Sequence, residues 1–134
     1  MKCIIITGNN KEYNTKIIDI LKSMGYLVLE KVEYNKSKEL DMKRYIDLSN
    51  GESKAIVSKP RGYGKYIIEL DENEINSFRE AFNNKETLVF NIINNEDEVK
   101  NHKDRIVIYK QDNINVVIAY ILKKIKEVNH ETVY

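Results

Sequence analysis

Residues 2–7, KCIIIT, are apolar and largely β-branched, with no alternation that would leave one face to water. Such a strand is stable only when both faces are covered, as inside a parallel sheet flanked by helices. The run TLVFNII at 87–93 has the same character, and RIVIY at 105–109 reads as the next strand. A chain with strands of this kind has to supply helices between them.

Those helices can be read from their periodicity and punctuation. Gly8-Asn9-Asn10 breaks the first strand, and Ile17, Ile18, Leu21 and Met24 then recur at helical spacing, which predicts a helix over 15–24 stopped by Gly25. Residues 26–32 read as the second strand. Residues 37–48 allow a short helix with Met42, Tyr45 and Ile46 on one side. Residues 54–58 and 65–70 read as a strand pair, a small hairpin flap joined by the Pro- and Gly-containing segment 59–64. Asp71 followed by Glu74 resembles a capping box, with Leu70 and Ile75 as its hydrophobic staple and Phe78 and Phe82 continuing the apolar face to Asn83-Asn84. Residues 94–103 read as a polar helix or loop. Asp112 or Asn113 caps a last helix, whose stripe runs Ile114, Val117, Ile118, Ile121, Leu122, Ile125 and Val128. The expected fold is therefore α/β, a single domain over residues 1–134 with a mostly parallel sheet flanked by helices in three layers. At 42% apolar residues, the chain can fill one core of this kind.

Charge narrows the partners. Charged residues make up 32% of the chain but the net charge is only +1, so they form a solvated surface without the basic footprint of a nucleic-acid-binding protein. Cys3 is the sole cysteine, which excludes an internal disulfide and a multi-cysteine zinc site. No apolar stretch reaches the length of a membrane span, and the N-terminus lacks the flanks of a signal peptide, so the expected location is the cytoplasm. His102 and His130 lie in polar segments and read as surface residues. Glu96-Asp97-Glu98 reads as the acidic start of a helix.

The turn after the first strand is where an α/β sheet usually holds a ligand. Gly8-Asn9-Asn10-Lys11-Glu12-Tyr13-Asn14-Thr15 has the length and strand–helix flanks of a phosphate loop, with Gly8 and Thr15 at its first and last positions. Tyr13 stands where the second glycine belongs, and Asn14 where the lysine belongs; Lys11 and Lys16 offset that missing charge only in part. The segment reads either as a relic phosphate loop or as an ordinary β–α turn. In both cases efficient phosphoryl transfer is disfavoured, because its charge stabilisation is missing.

Two further segments resemble the guanylate kinases, a family of P-loop nucleoside-monophosphate kinases. Ser58-Lys59-Pro60-Arg61-Gly62-Tyr63-Gly64-Lys65-Tyr66, leading to a helix with Phe78, is similar to their monophosphate-binding segment, and residues 106–114 are similar to their closing strand, Asn-Asp turn and helix. The resemblance implies a P-loop/Rossmann-like fold in which Lys59, Arg61 and Tyr66 hold a nucleotide phosphate beside Gly8, Lys11, Thr15 and Lys16. The family's arginine-bearing lid has no counterpart here, which implies a reduced relative, a module that binds a nucleotide or a phosphate-bearing or acidic partner without efficient phosphoryl transfer. Mg²⁺ would enter only with a triphosphate, and no residue pattern points to a resident metal. The alternatives are a small protein-interaction or inhibitor protein of the kind phages encode, presenting tyrosines on its surface, and a diverged active kinase using Lys11 or Lys16.

Overall fold

The computed structural model describes residues 2–33, 44–49, 55–60, 64–98 and 103–131. Five strands form a wholly parallel sheet: β1 (Lys2–Thr7), β2 (Leu27–Val28), β6 (Lys65–Glu69), β7 (Thr87–Ile93) and β8 (Arg105–Tyr109), in the order β2-β6-β1-β7-β8. A second, antiparallel sheet contains β3 (Lys31–Glu33), β4 (Tyr45–Asp47) and β5 (Ala55–Ser58), with β5 in the middle. The helices are α1 (Lys11–Ser23), α2 (Ile75–Phe82) and α3 (Ile114–Glu131). No helix among the described residues is long and apolar enough to cross a membrane.

The uniform apolarity of β1 follows from its central position. Ile4 and Ile6 pack with Ile17, Leu21, Phe90, Val117 and Ile121 under α1 and α3. Cys3 and Ile5 face the other way, into a core shared with Phe78 and Phe82 of α2, with Ile46, Ala55 and Val57 of the small sheet, and with Leu48 just after β4. The molecule is thus layered as expected, with α1 and α3 on one face and α2 plus the small sheet on the other.

Several local expectations are corrected. Residues 54–58 and 65–70 do not pair with each other. β6 lies inside the main sheet between β2 and β1, while β5 belongs to the small one. Both faces of β6 are buried, Ile67 in one core and Tyr66 and Ile68 in the other, as befits an interior strand of a parallel sheet covered on both faces rather than an arm of an exposed hairpin. The small element is accordingly a three-stranded sheet rather than a hairpin. Residues 26–32 form two strands: the main-sheet bonding ends with the Leu29 N–H donating to the Ile67 carbonyl, and Lys31 opens β3. Within the expected helix over 37–48, Tyr45–Asp47 is a strand and residues 37–43 lie outside the described residues. Residues 94–103, expected as a polar helix or loop, are a loop with a single 3-10 turn at Glu96–Glu98 where they are described; residues 99–102 lie outside the described ones.

The first helix begins four residues earlier than its aliphatic spacing suggests. Asn10 is its N-cap, the side chain accepting the Tyr13 N–H at 3.0 Å, and the buried face starts at Tyr13 and Asn14. Its end is a Schellman turn: Gly25 at φ +101° donates to the Lys22 carbonyl, and Tyr26 donates to that of Leu21. Half of the second cap forms as expected, the Glu74 carboxylate accepting the Asp71 N–H at 2.9 Å. Because residues 72–74 form a turn, however, α2 proper starts at Ile75. At α3 the Asn113 side chain accepts the Asn115 N–H, which makes Asn113 the cap.

Candidate functional site

The strand order is set by where the chain leaves β1. Through α1 it goes to β2 and β6 on one side; through α2 it crosses back to β7 and β8 on the other. The carboxyl ends of β1 and β7 therefore flank the point where the order reverses, the place where open α/β sheets leave a crevice. A cleft of about 730 Å³ opens there. Thr7, Asn91 and Ile93 come from the strand ends, Gly8, Asn9 and Lys11 from the turn into α1, Asp71, Glu72 and Asn73 from the turn before α2, and Asp97 and Glu98 from the 3-10 turn after β7.

The floor depends on Gly8. Its φ is +150°, and a Cβ there would collide with the Ile92 carbonyl oxygen. Only glycine lets the end of β1 lie against β7 so closely.

The walls are acidic but internally compensated. The Lys11 ammonium bonds to Asp71 and holds its carboxyl below the usual range, with further help from Lys31 at 3.8 Å. Lys31 also reaches the buried Glu74 at 2.8 Å. Arg105, whose side chain is 3% exposed, bonds to Glu72, and burial lowers the pKa of its guanidinium. Glu98 accepts from the Asn94 N–H, which is the main reason its carboxyl titrates low, and from the Asn9 side chain at 3.3 Å. Glu98 thus ties the 3-10 turn to the turn ahead of α1. Among the described residues no group of three or more His, Cys, Asp or Glu is placed to hold a metal ion.

Of the residues singled out from the sequence, the cleft brings together Gly8 and Lys11. Five of the eight residues in the phosphate-loop-like stretch belong to α1, so there is no eight-residue loop. Asn14 is fully buried, its amide donating to the Gly8 carbonyl at 3.2 Å. Tyr13 sends its hydroxyl to the Gln111 carbonyl at 3.0 Å. Thr15 is exposed and bonds back to the Lys11 carbonyl, and Lys16 lies on the outer face near Glu12 at 3.7 Å. Lys59 follows β5, its N–H bonded to the Arg44 carbonyl, and does not line the cleft. Tyr66 is core, edge-on to Phe82. It is in register with Cys3, and so lies roughly 13 Å along the sheet from the Thr7 end. Arg61, Tyr63 and His102 lie outside the described residues, as does the side chain of His130.

No family model matches the chain, and no curated protein matches its sequence. The site therefore has to be read from its own geometry.

Three groups in it were not anticipated: Thr7, Asn91, and the acidic residues of the two turns. Asn91 had a visible signal, since it is the one amide inside the apolar run TLVFNII. A polar residue in a strand buried on both faces breaks the local rule, and such breaks concentrate at functional sites.

Proposed function

We propose that this chain is a small-ligand-binding module on a nucleotide-kinase-like framework, holding a nucleotide-type ligand in the cleft at the ends of β1 and β7 without transferring a phosphoryl group. The observation that carries the reading is the position of the cleft, at the reversal of strand order and beside the N-terminus of α1. The site's charges argue against catalysis. Lys11 is the one cation among the lining residues described, and it is engaged by Asp71; the position a phosphate-loop lysine would take is Asn14, turned into the core. Phosphoryl transfer depends on cations that neutralise the moving group.

The test is a thermal-shift screen of nucleosides and nucleoside mono-, di- and triphosphates, with and without Mg²⁺, followed by a coupled assay for phosphoryl transfer. A ligand at 100 times its Kd stabilises by about 2.7 kcal/mol, a shift of several degrees in a domain of this size. The expected result is stabilisation by at least one nucleotide or nucleoside and no turnover. Silence across the panel refutes the reading, and turnover refutes its non-catalytic half.

A second reading, a protein-interaction module, draws on α3. Val116 and Tyr120 lie one turn apart on its outer face and are 54% and 39% exposed. Replacing both with serine would abolish partner capture under that reading and leave nucleotide-induced stabilisation unchanged under the first.

A further inference from the structure

Thr7 and Asn91 are direct neighbours across the β1–β7 ladder. Both side chains lie on the α2 side of the sheet, the face of Ile5 and Val89. They are 3% and 6% exposed, and both line the cleft. No hydrogen bond joins either side chain to another described residue, and both lie at the wall of the open cleft. Neither is sealed away from solvent, so the hydroxyl and carboxamide present their hydrogen-bonding atoms to the cleft rather than to the protein. Between them they offer two amide donors, an amide acceptor and a hydroxyl that both donates and accepts. Around them stand Asp71, Glu72, Asp97 and Glu98; Asp71 and Glu72 are engaged by Lys11 and Arg105, which leaves the described walls with an excess of negative charge that opposes an anion.

We infer that Thr7 and Asn91 hold the neutral hydrogen-bonding edge of the ligand, a nucleobase-type edge with adjacent donors and acceptors, while any phosphate points out of the cleft. This rests on reading the cleft as a nucleotide-type site. It reverses the orientation a phosphate loop would impose, putting the base on the floor and the charge at the rim. An Asn carboxamide is suited to such an edge, because it meets a donor and an acceptor side by side.

The experiment is isothermal titration of the whole chain with nucleosides, their monophosphates and inorganic phosphate, repeated on Thr7→Val and Asn91→Leu, with the melting temperature of each free protein. Both substitutions keep the volume and remove the polar atoms. The expected result is that a nucleoside binds within about threefold of its monophosphate, that inorganic phosphate does not bind, and that each variant loses at least about tenfold in affinity. The free variants should melt at or above the wild-type temperature, as happens when a functional polar group is removed from a buried place. Lower melting temperatures with unchanged nucleoside affinity would show the pair to be structural and overturn the inference. Binding that requires the phosphate and survives Asn91→Leu would overturn it while leaving the nucleotide reading standing. Absence of binding across the panel would remove both.

Discussion

Replacing Gly8 with alanine tests the geometry on which the cleft depends. Two costs add. The residue sits at φ +150°, where a side chain is strained by about 1–3 kcal/mol. The new methyl also meets the Ile92 carbonyl oxygen, part of a β7 backbone that is itself bonded on both sides, so relief requires β1 and β7 to separate at their carboxyl ends. Overpacking of this kind costs about 1–3 kcal/mol. The two strains relax together, so the expected loss is about 2–4 kcal/mol. With a urea slope of about 2 kcal/mol/M, the midpoint should fall by about 1–2 M with the slope unchanged. Gly25→Ala is the internal control: its φ is +101°, but nothing lies within 4 Å of the added carbon, so only the backbone term applies, about 1 kcal/mol. If Gly8→Ala lost no more than Gly25→Ala, the close approach of β1 to β7 would be refuted. A glycine kept only for phosphate contact would instead leave a variant of normal stability and impaired binding.

Tyr13→Phe removes the hydroxyl that accepts from the Gln111 N–H and donates to its carbonyl, untying α1 from the loop before α3; urea unfolding should show a loss of about 1 kcal/mol. Arg105→Ala should cost about 2–3 kcal/mol, and a double-mutant cycle with Glu72→Gln should show coupling of about 1 kcal/mol, whereas additivity within about 0.5 kcal/mol would mean the pair is not formed in solution. The Asp71 carboxyl titrates below its ordinary range because of Lys11, so its contribution is fully present above the unfolded-state pKa, near 4, and is lost as pH falls through the folded value. The wild type should therefore exceed Asp71→Asn by a constant margin from pH 5 to 8 that closes below about pH 4. That margin is small, about 0.5 kcal/mol, because the pair is half exposed. Cys3 is fully buried and desolvation raises its thiol pKa, so a disulfide reagent should react only at the rate of unfolding, and prompt labelling in native buffer would contradict the packing of β1.

The layered α/β plan was legible because β1 and β7 are apolar on both faces and because α3 carries an unbroken stripe; both are properties of local sequence. The partner of β6 was not legible. KYIIEL follows closely on KAIVS across a proline- and glycine-containing segment, and proximity favours a hairpin, but only the burial of Ile67 opposite Tyr66 and Ile68 decides that β6 lies within the main sheet. The start of α1 was misjudged because Tyr13 and Asn14 were matched to a loop motif. Asn10 is an ordinary N-cap, and a buried helix face that begins with tyrosine and asparagine is hidden from a count of aliphatic residues. The candidate site was legible in location, at the turn after β1, and in two residues, Gly8 and Lys11. Its other walls come from turns about 60 and 90 residues further along the chain, and only strand order brings these together.

The charges around the cleft argue for how a nucleotide-type ligand would enter. Among the described residues, Lys11, Lys31 and Arg105 stand against Asp71, Glu72, Glu74, Asp97 and Glu98, three cations to five carboxylates. Several of these carboxylates are already committed to the fold: Glu74 receives the Asp71 N–H, Glu98 holds two turns together, and Asp71 and Glu72 anchor Lys11 and Arg105. Freeing a cation for phosphate would mean breaking a structural contact, and the two uncompensated negative charges would still repel it. A unit charge about 6 Å from another interacts by about 3 kcal/mol at an effective dielectric constant near 20, so a phosphate dianion on the floor would be opposed by several kcal/mol. A neutral edge meets no such opposition from Thr7 and Asn91. The two orientations therefore differ in the sign of their salt dependence. A phosphate held by cations binds more weakly as salt rises, whereas a nucleotide whose base lies on this floor and whose phosphate faces acidic walls should bind as tightly or more tightly from 50 to 500 mM NaCl, since salt screens repulsion here rather than attraction. Affinity that fell tenfold over that range would place the phosphate among cations and refute the orientation.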